Sequence, residues 1–272
     1  MAKGGVKRLR LDAELVRRGL ARSREHASEL VLAGKVKVGG AVASKPATGV
    51  GADAAILVDT SETDDPGYAS RGAHKLIGAL EAFTEVQVEG RRCLDAGAST
   101  GGFTDVLLRN GAERVIAVDV GYGQLVWALQ TDDRVTVMDR TNVRTLTLDD
   151  IGGDPVDLVV SDLSFISLTL VLPALLGVVK PDGELMLMVK PQFEVGKERL
   201  GKGGVVRDPE LRADAVRGVA RKAAELGWGV AGVAASPLPG PSGNVEYFLW
   251  IRRTAPPLDE TMLRTAIESG PQ

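Results

Sequence analysis

The residues best equipped for chemistry gather around one glycine-rich turn. Asp95, Gly97, Ala98, Ser99, Thr100, Gly101, Gly102 and Phe103 follow a short apolar run and lead into a helix-like segment. Glycines in such a place let backbone pass close to a ligand while the chain turns. A dinucleotide site would favour G-x-G-x-x-G, with pyrophosphate at the helix N-terminus. The spacing here is G-x-x-x-G-G with Asp95 in front, and an acid repels pyrophosphate but accepts from an ammonium group. Asp119 ends the next apolar run, placed for ribose hydroxyls, and Asp139 follows the third, placed for an adenine amino group. Acids at three successive strand ends beside a glycine turn are the arrangement expected of an S-adenosylmethionine site. Their neighbours Val120, Arg140 and Leu163 belong to the same cofactor-facing set.

The fourth apolar run ends Ser161-Asp162-Leu163-Ser164-Phe165. Enzymes that methylate a base amino group commonly carry Asn/Asp-Pro-Pro-aromatic here, and both prolines are missing, which disfavours amino-group transfer. The fifth ends Val189-Lys190-Pro191-Gln192-Phe193-Glu194, with a lysine where the sheet opens onto the cofactor. A strand-end lysine can be a mere solvated charge. Partly buried beside another ammonium it can instead serve as a base. Ribose 2′-hydroxyls are weak acids, so a nucleophile of that kind needs a base or electrostatic help as its proton leaves.

These segments need elements to position them. Helical spacing is read over 74–83, 102–110, 123–130, 168–179 and 209–226; strands over 93–94, 114–119, 135–138, 156–161, 184–190, 229–235 and 245–252. Strands apolar on both faces belong in a parallel sheet covered by helices. The last two have only the loop 236–244 between them and are expected to pair antiparallel. The tail from Pro256 is too short for a domain.

The first sixty residues differ in kind. Helical spacing runs over 11–20, Ser23 is a plausible N-cap for a helix through Leu32 with Gly34 as its stop, and Lys35–Val38 and Ala41–Val42 flank Gly39-Gly40 as a hairpin. Residues 59–67 are polar and turn-rich, a linker. Through Thr60 the net charge is +5, and the remainder carries −8. A basic head on an acidic body suggests a polyanionic partner, because neutralising phosphates releases counterions. The 272 residues, 44% hydrophobic and 25% charged, exclude a disordered or collagen-like chain. Cys93 is the single cysteine, and only His26 and His74 accompany it, so neither a disulfide nor a zinc set is available and no metal is expected. No apolar stretch is long enough to span a bilayer, and a cytoplasmic protein is expected.

Taken together, the motifs resemble the TlyA family of ribosomal RNA 2′-O-methyltransferases, some of which bear the name haemolysin. The resemblance rests on Arg10-Leu-Asp12, Ser23-Arg24 and Gly34-Lys35-Val36 in the head and on Ser70–Leu76 at the entrance to the body. The glycine turn, Asp162–Phe165, Val189–Glu194 and Gly243-Asn-Val-Glu246-Tyr-Phe complete it. Before Ser70 this chain has Pro66-Gly67-Tyr68-Ala69, where the family often carries an aromatic and a β-branched residue. The resemblance implies a Rossmann-like class I methyltransferase fold, α/β, with a mostly parallel seven-stranded sheet whose last strand is antiparallel. It also implies a small N-terminal α+β domain of the alpha-L RNA-binding type. The boundaries read are 1–60 for the head, 61–69 for the linker, 70–255 for the methyltransferase domain and 256–272 for the tail.

The catalytic domain is similar to FtsJ-type enzymes, whose Lys-Asp-Lys-Glu tetrad falls on Lys75, Asp162, Lys190 and Glu246. Lys190 is the expected base, tuned and positioned by the others. The implied acceptor is a cytidine 2′-hydroxyl in ribosomal RNA within ribosomal subunits; no membrane or obligate protein partner is expected. Arg8, Arg10, Arg17, Arg18, Arg22, Arg24, Lys35, Lys37 and Lys45 are the candidate phosphate contacts. Arg71 is a further backbone contact and Phe165 a candidate stacking residue. Two rival readings exist. A membrane-lytic haemolysin would need a spanning or strongly amphipathic cationic helix, which the sequence lacks. A non-catalytic RNA-binding assembly factor would have no need of two lysines beside two acids.

Overall fold

Strand order fixes the location of any site in an open α/β sheet, and here it is set by the apolar runs. The computed structural model describes residues 9–18, 20–21, 23–51, 54–58, 67–240 and 242–271. They divide into two compact units, Met1–Ser70 and Arg71–Gln272. Arg8, Arg22 and most of the linker lie outside the described residues.

In the first unit β1 (Leu9–Arg10) leads directly into α1 (Leu11–Arg17), followed by α2 (Arg24–Leu32), β2 (Val36–Val38), β3 (Ala41–Val42), β4 (Gly49–Val50) and β5 (Ile56–Val58). Ser23 caps α2 by accepting from the His26 amide at 3.1 Å. Gly39 and Gly40 both take positive φ, 57° and 86°, the geometry of the tight hairpin turn between β2 and β3. Leu11, Leu15, Ala27, Val31, Val36 and Val50 form a small core of their own. The pairing of β5 with β2 and of β1 with β4 has no sequence signal, because two or three residues are too few to show alternation.

The second unit runs α3 (Ala73–Ala82), β6 (Arg92–Ala96), α4 (Gly102–Arg109), β7 (Arg114–Val118), α5 (Trp127–Gln130), β8 (Val135–Met138), β9 (Val156–Ser161) and α6 (Leu168–Val178). It continues through β10 (Val179–Val189), α7 (Pro191–Glu194), α8 (Pro209–Glu225), β11 (Gly229–Ala235), β12 (Tyr247–Arg252) and α9 (Glu260–Ser269). The seven strands lie in the order β11-β12-β10-β9-β6-β7-β8. All neighbours are parallel except at β12, which is antiparallel to both β10 and β11. The fold is the expected Rossmann-like α/β one with a reversed last strand. Its order changes direction between β6 and β9, and ligands of such sheets bind outside the carboxyl ends at that point.

Two segments differ from their sequence reading. The helix read over 123–130 is shortened to α5, because Asp119 Oδ1 takes the Gly121 amide at 2.7 Å and Asp139 Oδ2 takes the Gly123 amide at 2.8 Å. Those bonds hold 121–123 as a loop. The C-terminal tail, read only as too short for a domain, carries a helix: α9 buries Leu263, Ala266 and Ile267 in the core of the second unit. Asp259 caps it by accepting from the Met262 amide at 2.7 Å.

Candidate active site

Four ionisable side chains from four separated segments meet at the carboxyl edge of the sheet. Lys75 comes from the first turns of α3, Asp162 follows β9, Lys190 follows β10, and Glu246 immediately precedes β12. Because β12 alone runs backwards, its start lies at the edge where the other strands end, which brings Glu246 into the group. Lys75 Nζ donates to Glu246 Oε2 at 2.6 Å and stands 3.6 Å from Asp162 Oδ2. The Met188 thioether lies 3.7 Å from the same nitrogen. Lys190 Nζ makes an ion contact with Asp162 Oδ1 at 2.5 Å, at angles outside those of a hydrogen bond, and donates to Ser164 Oγ at 2.8 Å. Asp162 therefore links the two ammonium groups.

Burial differs across the group. Lys75, Lys190 and Glu246 are 6%, 6% and 1% exposed, while the Asp162 side chain keeps 23% of its surface. Glu246 Oε1 is buried and has no hydrogen-bond partner. A Cβ on Gly240 would lie 2.5 Å from that oxygen, so glycine at this position leaves the Glu246 carboxylate room.

Beside this cluster lies a cleft of about 500 Å³, within the range of small-molecule sites. Gly97, Ser99, Asp119, Val120, Asp162 and Leu163 line it, as does Phe165. The turn approaches β9 closely: Gly97 has φ 89°, and a Cβ there would meet the Asp162 carbonyl oxygen at 3.0 Å. Ser99 is held at φ 48°, its amide donating to Asp119 Oδ2 at 2.8 Å. Ala98, Thr100, Gly101, Gly102, Phe103, Asp139 and Arg140 do not line the cleft. Gly101, at φ 101°, opens α4, and Phe103 is buried against Phe248. Asp139 braces the 121–123 loop, and Arg140 lies over the Tyr122 ring at 4.3 Å. Residues the sequence reading did not assign also line the cleft: Gln124, Thr141, Asn142, Ser164 and Ile166. Thr141 and Asn142 follow Asp139-Arg140 directly, so the strand-end position was the available signal.

Asp95 lies beneath the turn, fully buried. Its Oδ2 accepts from Thr104 Oγ1 at 2.7 Å, and its Oδ1 has no partner. Burial pushes its carboxyl up to about 7; the Thr104 bond opposes this and the Asp162 charge adds to it. The sign for stability follows. The folded protein holds a proton between pH 4 and 7 that the unfolded chain has released, so stability falls as pH rises through that window and levels off above it. Asp95→Asn keeps the acceptor for Thr104 and removes the titration. The variant is expected to melt a few degrees higher at pH 8, with the gap closing toward pH 4.5. Melting curves at both values check this, and an unchanged gap would refute the titration.

The two signature loops are fastened together. Lys190 contacts Asp162 and Ser164, the Phe193 ring lies 5.2 Å from that of Phe165, and Glu194 accepts from Ser167 Oγ at 2.6 Å and from the Leu168 amide at 2.8 Å. Burial raises the Glu194 carboxyl above its ordinary range. Phe165 itself is 91% exposed and held at φ 65°, an uncommon conformation for a bulky residue that the surrounding bonds must impose.

In the head, two buried acids organise the arginines. Asp12, 3% exposed, pairs with Arg10 at 2.8 Å and Arg24 at 3.1 Å, which hold its carboxyl well below the usual range. Glu14, 0% exposed, binds Arg17 and Arg18 and is lowered to about 2. Arg10, Arg17 and Arg24 keep 53%, 59% and 60% of their side-chain surface. Arg18 keeps only 22% and donates to the Ala54 carbonyl at 2.6 Å, so it ties the head's own chain together. Lys37 and Lys45 are exposed, Lys35 is half-buried, and Arg71 is exposed at the entrance to α3.

The model of the FtsJ-like methyltransferase family matches residues 68–253, and that of the S4 domain matches 9–56. The chain is 60% identical to the 16S/23S rRNA (cytidine-2′-O)-methyltransferase TlyA of Mycobacterium tuberculosis, over 98% of its own length and 100% of that protein. It is 36% identical to Hemolysin A of Brachyspira hyodysenteriae over 88% of its length and 98% of the relative. A solved structure of a candidate hemolysin from Streptococcus thermophilus superposes with a TM-score of 0.76 at 36% identity, covering 97% of this chain and 96% of that one. Among the described residues no helix is long and apolar enough to cross a membrane.

Proposed function

Because the chain belongs to the TlyA family of FtsJ-like methyltransferases, we propose that it methylates the 2′-oxygen of a cytidine ribose in 16S or 23S ribosomal RNA, or both, using S-adenosylmethionine. The observation that carries the reading is the meeting of Lys75, Asp162, Lys190 and Glu246 beside the cleft. The residues present suit the cofactor. Gly97 gives a backbone cradle that a Cβ would fill, Asp95 lies beneath that turn with one buried oxygen unpartnered, and Asp119 presents a carboxylate to the cleft at the β7 end. When bound, S-adenosylmethionine supplies an electrophilic methyl group on a sulfonium.

The chain's own residues supply the rest. Lys190 takes the proton of the 2′-hydroxyl as that oxygen becomes nucleophilic, and Asp162 holds its nitrogen. Lys75, fixed by Glu246, places a second positive charge 3.6 Å from Asp162 and so holds that carboxylate from its other oxygen. Much of the acceleration comes from holding the hydroxyl near attack geometry. A paired nucleotide must leave its stack to enter, at a cost of a few kcal/mol, and Phe165 offers an exposed ring for its base. The head, residues 1–60, is the RNA anchor, with Arg10, Arg17, Arg24, Lys35, Lys37 and Lys45 toward phosphates and Arg71 assisting from the catalytic unit. Residues 61–69 link it to a catalytic domain that α9 extends beyond residue 255. Ribosomal subunits as substrate would place the protein in the cytoplasm.

Transfer of labelled methyl from S-adenosylmethionine to purified 30S, 50S and 70S particles, followed by mapping of the modified nucleotide, tests the proposal. A 2′-O-methylcytidine in ribosomal RNA is the expected product. No incorporation into any particle, with cofactor binding intact, would overturn it.

A further inference from the structure

The Lys190 ammonium is 6% exposed, yet one of its two polar partners, Ser164, faces solvent and lines the cleft. We propose that Ser164 is a positioning residue for the transfer, fixing the heading of the Lys190 lone pair toward the substrate hydroxyl. This rests on the reading of Lys190 as the base.

A neutral amine has two N–H groups and one lone pair in tetrahedral directions. Ser164 Oγ at 2.8 Å accepts one N–H and fixes its direction, whereas Asp162 Oδ1, in ion contact at 2.5 Å outside hydrogen-bond angles, attracts the N–H side of the nitrogen without fixing how it is turned. The lone pair is then left with the remaining directions. With Asp162 alone, the amine turns about its Cε–Nζ bond and the lone pair has no fixed heading. A hydroxyl is also a suitable acceptor, because it orients the nitrogen without adding a charge to the cluster.

The loop is built to hold Ser164 in place. Its neighbour Phe165 is pinned at φ 65° against Phe193, and two residues further on Glu194 fastens Ser167 and Leu168. Every one of these anchors comes from the segment that begins with Lys190, so the base and its orienting hydroxyl are held as one unit. No covalent step is added: the ribose proton goes to Lys190 Nζ, and Ser164 keeps its own.

Ser164→Ala, assayed on 30S and 50S particles with S-adenosylmethionine, is expected to lower kcat about tenfold, the size of one lost hydrogen bond in a transition state. The KM for particles, the affinity for S-adenosylhomocysteine and the melting temperature should stay at parental values. Ser164→Thr, which keeps the hydroxyl, should recover most of the loss. Parental kcat in Ser164→Ala, a loss matched by weaker cofactor binding, or a threonine variant as slow as the alanine one would each overturn the proposal. Lys190→Met in the same assay separates the two layers. If it still turns over, the reading of Lys190 as base fails; if it is dead while Ser164→Ala is fully active, only the role of Ser164 fails.

Discussion

Lys190→Met is expected to lower methyl transfer about a thousandfold, in the middle of what a positioned general base contributes, while the protein stays folded and still binds its cofactor. The asymmetry between the two lysines makes this more than a test of importance. Removing Lys190 leaves Asp162 with 23% of its side chain exposed, with water to solvate it and Lys75 still 3.6 Å away. Removing Lys75 strands Glu246, which is 1% exposed and already has one oxygen without a partner. Breaking a buried pair from one side costs about 3–5 kcal/mol. Lys75→Met is therefore expected to lose activity and melt well below the parent, and adding Glu246→Gln should restore much of the stability but none of the activity. Single-turnover transfer, calorimetric cofactor affinity and melting curves separate these outcomes. Lys190→Met with parental transfer would remove the mechanism, and Lys75→Met with parental stability would remove the account of Glu246.

What the sequence made legible followed from strong, local signals. The glycine turn, the apolar strands and the reversed terminal strand each depend on a run of several residues or on a loop too short for a crossover helix. Asp162 and Lys190 could be placed at strand ends because a parallel sheet puts all its strand ends at one edge. What stayed hidden depended on single polar residues whose partners are distant in sequence. Nothing local distinguishes Arg18, turned onto Ala54 and Glu14, from Arg17, which keeps most of its surface. Ser164 and Glu194 sat inside recognised motifs, but their bonds to Lys190 and Leu168 arise only when two loops lie side by side. Asp95 and Asp139 illustrate the same limit at the cofactor site. Both end the right strands, yet one is buried beneath the turn and the other braces a loop. The amphipathic α9 was passed over because it is short and follows two prolines, while its burial against α8 and β11 is a tertiary event.

Removing the head should abolish efficient methylation of ribosomal particles while leaving cofactor binding untouched. The reason is electrostatic. The chain beyond Thr60 carries a net charge of −8, so on its own it meets a polyanion with net repulsion, whereas the first sixty residues carry +5. Attraction to phosphate dominates non-specific binding and falls with salt, at about 0.9 in the log-log slope for each phosphate neutralised on a duplex. Each unit has its own core, so residues 61–272 are expected to fold and to bind S-adenosylhomocysteine like the full chain. Their kcat/KM on particles should fall by two or more orders of magnitude at moderate salt, with most of the salt dependence gone. A smaller change carries the same logic to single residues. Arg24→Gln should weaken particle binding and flatten the slope by about one phosphate, whereas Arg18→Gln should act by loosening the head, lowering its melting temperature. Particle binding measured between low and moderate salt decides between them. A truncated chain that methylates particles as well as the whole protein, with an unchanged salt slope, would show that the acidic unit finds its own substrate and that the buried acids of the head organise arginines for some other purpose.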